Sequence, residues 1–254
     1  MLISPLLILG FLATLLIIAG LLEFKYHQTS LSGIPIRIHV NGTRGKSSVT
    51  RLIAAGLRAG GKRTFAKTTG TAPRVIDSKG IDRIIHRLRK PSIGEQVRLL
   101  KYFSDEKPDV VVMECMAVQP QYQWISEHQM VKSDIGVITN ARPDHLDEMG
   151  PTEVDVVKSL CNSIPVSGVL VTAEQKDKNI IKKVTYDNNS DFILSDENSI
   201  SNEYIDNFKY IEHPQNIAIA LDVCEKLGID RDTAIGGMHQ VQPDLGALIV
   251  WKLI

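Results

Sequence analysis

Hydrophobic residues form one long uninterrupted stretch at the start of the chain and then recur in short runs between polar segments. Residues 1–22 contain no charged side chain and are mostly Leu, Ile, Phe and Ala. A stretch of this length suits a single membrane-spanning helix. A cleaved signal peptide is the alternative, but its basic start and shorter apolar core are absent from these residues. We therefore expect residues 1–22 to be a membrane anchor.

Beyond the anchor, apolar runs alternate with segments of helical periodicity. Ile36, Ile38 and Val40 alternate with polar residues, as in a strand. Further strands are predicted at Arg63–Ala66, Asp109–Cys115, Asp134–Thr139, Gly168–Thr172 and Phe192–Leu194. Uninterrupted apolar runs such as Val110–Met113 are typical of strands buried on both faces. The alternation predicts an α/β domain with a mostly parallel, doubly wound sheet.

Two helix starts are predicted from capping boxes, and one basic segment stands out. The boxes pair Ser92 with Glu95 and Thr152 with Asp155. A further helix is expected over residues 216–227. The basic segment spans residues 79–90, and its pattern favours a helix with a solvent-exposed charged face. Contact with anionic lipid or an acidic product is the alternative. Its cations are Lys79, Arg83, Arg87, Arg89 and Lys90.

The segment between the first strand and the next helix has the composition of a phosphate-binding loop. Residues 39–47 read His-Val-Asn-Gly-Thr-Arg-Gly-Lys-Ser. Gly42 and Gly45 let the backbone approach an anion, and the first N–H groups of the following helix point at phosphate oxygens. Lys46 supplies a positive charge for the β- and γ-phosphates, and Ser47 a hydroxyl for Mg²⁺. The motif is a P-loop variant, since Val40 stands where the longer form has glycine.

Polar side chains follow two other predicted strands. Glu114 ends the apolar run that starts at Asp109, where a carboxylate beside a phosphate loop is expected to bind Mg²⁺. A structural acid is the alternative. Asn140, Asp144, His145 and Asp147 are expected at the same crevice edge. The His145 ring has the chemistry to bind a metal or a phosphate oxygen.

Two later residues have both a chemical and a structural interpretation. Lys158 flanks the apolar face of its helix, where partial burial would lower its pKa and allow carbamate formation with CO₂. A surface lysine with its stem along apolar side chains is the alternative. Asn216 offers an amide for an adenine edge, or it caps the following helix.

Bulk composition changes this picture little. The 254 residues carry 29 basic and 29 acidic side chains, so no basic footprint indicates nucleic-acid binding. The three cysteines lack metal-type spacing and indicate reduced thiols in a cytosolic domain. Lys25, His27 and Arg37 follow the apolar stretch, which favours a single-pass cell-membrane protein whose body is cytoplasmic.

Taken in order, five motifs resemble those of the ATP-dependent Mur-ligase superfamily. This superfamily includes murein peptide ligases, folylpolyglutamate synthases and poly-γ-glutamate synthases. The resemblance covers about residues 34–250. The motifs are Gly42-Thr-Arg-Gly-Lys-Ser-Ser48, Glu114, Thr139-Asn-Ala-x-x-Asp-His145-Leu-Asp147, Lys158 and His213-x-x-Asn216-x-x-x-Ala220.

The resemblance implies the cofactors ATP and Mg²⁺ and a role for each matching residue. It implies Ser47, Glu114 and His145 as metal ligands. It implies Lys46, His145 and Lys158 as catalytic residues. Lys158 stands where several members of the superfamily carry a carbamoylated lysine. Asn216 would face the adenine. The implied nucleotide-binding set is Gly42, Thr43, Arg44, Gly45, Lys46, Ser47, Ser48 and Asn216.

Within the superfamily the chain is most similar to the membrane-anchored ligase subunit of poly-γ-glutamate (capsule) synthases. That similarity implies glutamate and the growing polymer as substrates, and other membrane subunits of a synthase and export complex as partners. The expected organisation is an anchor (1–22), a central ATP-binding domain (33–242) and the start of a truncated C-terminal domain (243–254). A non-catalytic membrane-anchored nucleotide-binding scaffold and a folylpolyglutamate synthase-like ligase are the alternatives.

Overall fold

The computed structural model describes residues 4–70, 72–87 and 91–243. Its strands are β1 Ile36–Asn41, β2 Thr64–Thr68, β3 Arg74–Ile76, β4 Asp82–Ile84, β5 Val110–Glu114, β6 Ile135–Ile138, β7 Val169–Thr172 and β8 Asp191–Leu194. Its helices are α1 Pro5–Ser32, α2 Lys46–Ala59, α3 Glu95–Asp105, α4 Pro120–Ile125, α5 Leu146–Met149, α6 Glu153–Leu160, α7 Lys178–Asp187, α8 Asn202–Asp206, α9 Pro214–Lys226 and α10 Arg231–Met238.

The eight described strands form one sheet in the order β4-β3-β2-β5-β1-β6-β7-β8. The six strands from β2 to β8 in this order run parallel, whereas β3 and β4 are antiparallel additions at one edge. β1 lies between β5 and β6, with Val40 opposite both Glu114 and Val137. The carboxyl ends of these three strands therefore meet at one edge, and the predicted mostly parallel sheet is confirmed.

Helices cover both faces of the sheet. On one face, Leu52 and Ile53 of α2 pack with Leu221 of α9 and Met238 of α10 in the largest hydrophobic cluster. On the other face, α6 and α7 cover one half, and α3 packs with Phe65 over the other half. Every side chain of β5 is buried, as its uninterrupted apolar run predicted. The doubly wound arrangement is confirmed.

Helix α1 continues ten residues beyond the predicted anchor. It spans 28 residues, and by length and composition it is the one described helix apolar enough to cross a membrane. Its first part is exposed along its length, whereas His27, Ser30 and Leu31 are buried. Leu31 packs in the cluster that contains Leu100 and Phe103 of α3. The last turns of α1 are therefore part of the α/β body.

Two local predictions were wrong. The basic segment contains the turn and second strand of the β3–β4 hairpin instead of a helix, because Asp77 Oδ1 accepts bonds from the backbone of Lys79 and Ile81 and closes a turn. The Ser92–Glu95 capping box does not form, because Gly94 precedes α3 and the Glu95 carboxylate binds Arg87. The Thr152–Asp155 box is confirmed. Arg89, Lys90 and residues 244–254 lie outside the described residues.

Candidate active site

The predicted phosphate loop is the connection between β1 and α2, at the carboxyl edge of the sheet. Gly42 has φ +132° and Gly45 has φ +81°, backbone angles that residues with a side chain rarely adopt. A Cβ at Gly45 would lie 2.7 Å from Asn216 Oδ1. The bonding ladder of α2 starts when Val49 N donates to Gly45 O (2.9 Å). The amides of Lys46, Ser47 and Ser48 precede that ladder and form the anion-binding end of the helix.

The loop is held from the side by Asn140, which follows β6. Asn140 Oδ1 accepts bonds from the Thr43 hydroxyl (2.7 Å) and from Arg44 N (3.2 Å), while its Nδ2 donates to Arg44 O (3.0 Å). The Thr139 hydroxyl donates to the same carbonyl (2.6 Å), and Thr43 N donates to Asn140 O (3.0 Å). Asn140 is 5% exposed, so these bonds are shielded from water.

Replacing Asn140 by alanine is expected to lower the free energy of unfolding by about 2 kcal/mol, because it removes several buried hydrogen bonds that fix the loop. Urea unfolding in detergent measures this change. Asn207→Ala is the control, since Asn207 is exposed and its amide donates to Glu203 O within its own helix. Equal stabilities of the two variants would show that Asn140 does not hold the loop.

A carboxylate lies directly opposite the start of α2. The Ser47 hydroxyl donates to Glu114 Oε2 at 2.8 Å, and Thr69 N donates to the same oxygen at 2.7 Å. The Thr69 hydroxyl also binds Glu114 Oε1. Thr69 thus positions Glu114, a role that the sequence did not indicate. Ser47, Thr69 and Glu114 together present hard oxygen donors, the ligand type that Mg²⁺ prefers.

Within residues 4–70, 72–87 and 91–243, no group of three or more His, Cys, Asp or Glu side chains is arranged to hold a metal ion. A cation at Ser47 and Glu114 would therefore need further ligands from phosphate oxygens and water. That shared coordination is the usual one for Mg²⁺ at nucleotide sites, because the ion gives up its water reluctantly. The residues present fit a magnesium site of this kind.

Lys46 and His145 line one cavity of about 340 Å³ beside the loop. Lys46 Nζ donates to Gly42 O (2.7 Å), so its charge lies over the loop. His145 precedes α5 with φ +48°, and its side chain is 55% exposed. Its neighbour Asp144 pairs with the exposed Arg44 at 3.3 Å. The structure therefore brings the predicted His145 to the crevice of the phosphate loop.

The partial burial expected for Lys158 is not observed. Lys158 is exposed on α6, although its neighbours Val157 and Ser159 are buried. No hydrogen bond or ion pair among the described residues joins Lys158 to Ser47, Glu114 or His145. The reason is geometric: the apolar face of α6 turns Val156, Val157 and Leu160 inward and leaves position 158 outside. Its predicted catalytic role stays a prediction.

Asn216 does not cap its helix, because His213 is the N-cap of α9 and Asn216 lies inside the first turn. Asn216 is 4% exposed and its Nδ2 donates to Glu212 Oε1 (2.7 Å). Burial raises the pKa of Glu212. Because Asn216 Oδ1 faces Gly45, this buried pair packs α9 against the phosphate loop. Asn216 therefore lies beside the loop, and its predicted contact with adenine stays a prediction.

A second buried pair joins a residue of β1 to a residue outside the sheet. His39 Nδ1 is 2.7 Å from Glu127 Oε2, and both side chains are almost fully buried. Burial opposes a charge on His39, but the adjacent Cys115 sulfur and the Glu127 carboxylate raise its pKa to about 10. The pair ties β1 to the π-helical turn Ser126–Val131. Sequence reasoning missed it, since the two residues are 88 positions apart.

Comparisons with known proteins identify a family and several similar proteins. The family model of the Mur ligase middle domain matches residues 40–251. The chain is 41% identical over 256 residues to "Capsule biosynthesis protein CapB" of Bacillus anthracis, covering 99% of the chain and 54% of the relative. It is 37% identical over 241 residues to "PGA synthase CapB" of Bacillus subtilis (strain 168), covering 94% and 61%. The chain thus spans about half to three fifths of these curated relatives.

Solved structures show the same fold at low sequence identity. E. coli FolC in complex with DHPP and ADP has a TM-score of 0.64 at 16% identity, covering 87% of this chain and 61% of that one. A complex titled "FPGS-AMPPCP complex" has a TM-score of 0.60 at 15% identity, covering 89% and 72%. The match of the Mur ligase middle domain over residues 40–251 shows that the chain belongs to the Mur ligase family.

Proposed function

We propose that the chain is the nucleotide-binding part of an ATP-dependent acid–amino-acid ligase that adds glutamate to a growing poly-γ-glutamate chain. The observation that carries the proposal is the Ser47–Glu114 pair (2.8 Å) at the start of α2, beside a glycine loop fixed by Asn140. The CapB relatives support the ligase class and the PGA substrate. The neutral net charge gives no support to nucleic acid as a partner.

The chain's own residues account for phosphate binding. The first amides of α2 and the Lys46 ammonium offset the negative charge of a triphosphate, which would otherwise repel an incoming carboxylate. Ser47 and Glu114, with Thr69 orienting the carboxylate, are the residues that would hold Mg²⁺. When bound, Mg²⁺ neutralises charge on the phosphate oxygens. Asn140 keeps the loop in place, so little reorganisation is needed when charge moves.

The reaction follows from the chemistry of acid–amino-acid ligation. An oxygen of the terminal carboxylate attacks the γ-phosphorus of ATP, the bond to ADP breaks, and an acyl phosphate forms. The amine of the incoming glutamate then attacks that carbonyl, a C–N bond forms, phosphate leaves and the amine loses a proton. His145 lines the same cavity as Lys46 and is a second predicted group for contact with the transferred phosphoryl group. Two further parts of the proposal rest on the family resemblance alone. They are a carbamate on Lys158 and a contact between Asn216 and adenine.

The proposed location is the cell membrane, with α1 as a single span and the α/β body in the cytoplasm, where ATP is available. The apolar part of α1 suits a bilayer by length and composition. The "PGA synthase CapB" relative supports partners of a synthase complex, and export of a polymer would need to cross the bilayer that α1 is proposed to span. We therefore include other membrane subunits of a synthase and export complex as partners.

Calorimetry with ATP in the presence and absence of magnesium tests the proposal, followed by an assay of glutamate-dependent ADP release. We expect Glu114→Gln to weaken magnesium-dependent ATP binding by about tenfold to 100-fold. Loss of outer-shell partners alone has effects of this size, and a direct ligand matters at least as much. The neutral amide keeps the shape of the side chain but removes the charge that binds the ion.

Glu203→Gln is the matched control, because Glu203 is exposed on α8 in the first turn of that helix. It should bind ATP like the wild type. Magnesium-independent ATP binding by the wild type, or no ATP binding by the folded protein, would contradict the proposal. ATP binding without any glutamate-dependent ADP release would instead favour a non-catalytic nucleotide-binding scaffold.

A further inference from the structure

The proposed binding of ATP and magnesium makes no use of three charged side chains beside the phosphate loop, which are Arg87, Glu95 and Lys67. Arg87 donates two bonds to Glu95, from Nε to Oε2 (2.7 Å) and from Nη2 to Oε1 (2.8 Å). Lys67 Nζ lies 3.6 Å from Glu95 Oε1, the oxygen that also accepts the bond from Arg87 Nη2. Two cations therefore share one anion, and the group carries an excess positive charge when both are protonated.

The environment of this group holds Arg87 in a fixed position. The Lys67 side chain is completely buried in β2, and the Glu95 side chain is 8% exposed. Hydrogen bonds from Arg87 lower the pKa of Glu95, so the carboxylate stays ionised at neutral pH. Burial lowers the pKa of Lys67, while Glu95 and Glu114 oppose that effect. A buried, ionised acid that is anchored on two sides is a rigid support for a guanidinium group.

Arg87 faces the crevice. Its side chain is 20% exposed, and it lines the same 340 Å³ cavity as Gly42, Lys46 and His145. In the part of the chain that the structure describes, its bonds to Glu95 use Nε and Nη2, so the N–H groups of Nη1 remain to bind a ligand. A guanidinium group positioned in this way recognises planar carboxylates and is always charged at physiological pH.

The crevice continues into a second cavity of about 450 Å³ that leads away from the phosphate loop. The two cavities share the wall formed by Pro91, Met116, Ala117 and Val118. The second is also lined by Gln119 and Tyr122 of the α4 region and by Glu148 of α5, its one charged lining residue. Together they form a groove with Lys46 and Arg87 at one end. The second cavity offers space beside the phosphate loop for part of a longer substrate.

We propose that Arg87, supported by Glu95 and Lys67, binds a carboxylate of the acceptor γ-glutamyl chain in this groove. The inference rests on the proposed function, because it names the site of the acceptor within that reaction. The γ-glutamyl chain carries a free carboxylate on every residue. One such group bound at Arg87 positions the chain end beside the phosphate loop, where the terminal carboxylate meets ATP.

The test measures binding of a short, fluorescein-labelled γ-glutamyl oligomer to the whole chain in detergent, by fluorescence anisotropy with magnesium and ATP present. We expect Arg87→Ala to weaken oligomer binding by about tenfold or more, because a charge-assisted bond is lost. Arg87→Lys should be intermediate, since it keeps the charge but not the planar geometry. An oligomer with amidated carboxyl groups should bind the wild type and Arg87→Ala equally weakly.

Arg83→Ala is the matched control, because Arg83 lies in β4, four residues before Arg87, is 66% exposed and pairs with Asp77 outside the crevice. It should bind the oligomer like the wild type. Calorimetry with magnesium and ATP on the same samples separates the two proposals. If ATP binding is normal and Arg87→Ala binds the oligomer like the wild type, or the wild type does not bind it, the acceptor site is wrong. If the wild type binds no ATP, the proposed function itself fails.

Discussion

Replacing Lys46 by methionine is expected to slow glutamate-dependent ADP release by about 100-fold to 1000-fold. The Lys46 ammonium lies over the phosphate loop, 2.7 Å from Gly42 O, where it meets the negative charge of the transferred phosphoryl group. Methionine has a similar length but no charge. Removing one group that stabilises developing charge in a preorganised site has an effect of this size. An assay of ADP release with glutamate and a poly-γ-glutamate acceptor measures it.

Lys62→Met controls for the loss of a lysine, since Lys62 follows the opposite end of α2 and lies far from the crevice edge. This control should release ADP at the wild-type rate. The fold of Lys46→Met should be intact, because Lys46 is partly exposed and its charge is not part of a buried pair. If a folded Lys46→Met turns over like the wild type, the phosphate-loop assignment is wrong.

The sequence predicted the central strands because their signal is local. β5 is an uninterrupted apolar run, and β1 alternates, so each pattern identifies its strand without knowledge of its neighbours. The phosphate loop was predictable for the same reason, since its glycines, lysine and serine lie within six residues. The Thr152–Asp155 box also formed as predicted, because both partners lie in one turn.

The features that the sequence did not predict depend on contacts between residues that are far apart in the chain or on competing side-chain partners. Glu95 has the spacing of a capping residue, but its carboxylate binds Arg87 and Lys67, and a charge-assisted pair outweighs a cap. Thr69 orients Glu114 across 45 positions. The position of Lys67 could have been informative. A lysine buried in a strand requires a nearby acid, and Glu95 is that acid.

Replacing Gly42 by alanine is expected to lower the free energy of unfolding by about 4 kcal/mol. The φ of +132° is unfavourable for any residue with a Cβ, which contributes about 1–2 kcal/mol. The new methyl group would overlap the Thr139 hydroxyl and come within 2.9 Å of its backbone nitrogen. Thr139 is held in place by its bond to Arg44 O and by the backbone bond from its N to Asn41 O, so relief requires movement of β6. Overpacking at such a rigid position adds about 1–3 kcal/mol.

Gly61→Ala separates the effect of backbone strain from the effect of steric overlap with Thr139. Gly61 has φ +80°, and no atom lies within 4 Å of the position of its added Cβ. Its expected loss is therefore the strain alone, about 1 kcal/mol. Urea unfolding of both variants in detergent gives the difference, and calorimetry should show weaker ATP binding for Gly42→Ala alone. If the two variants lose the same stability, Thr139 does not confine the loop, and Gly42 would be required only for its backbone conformation.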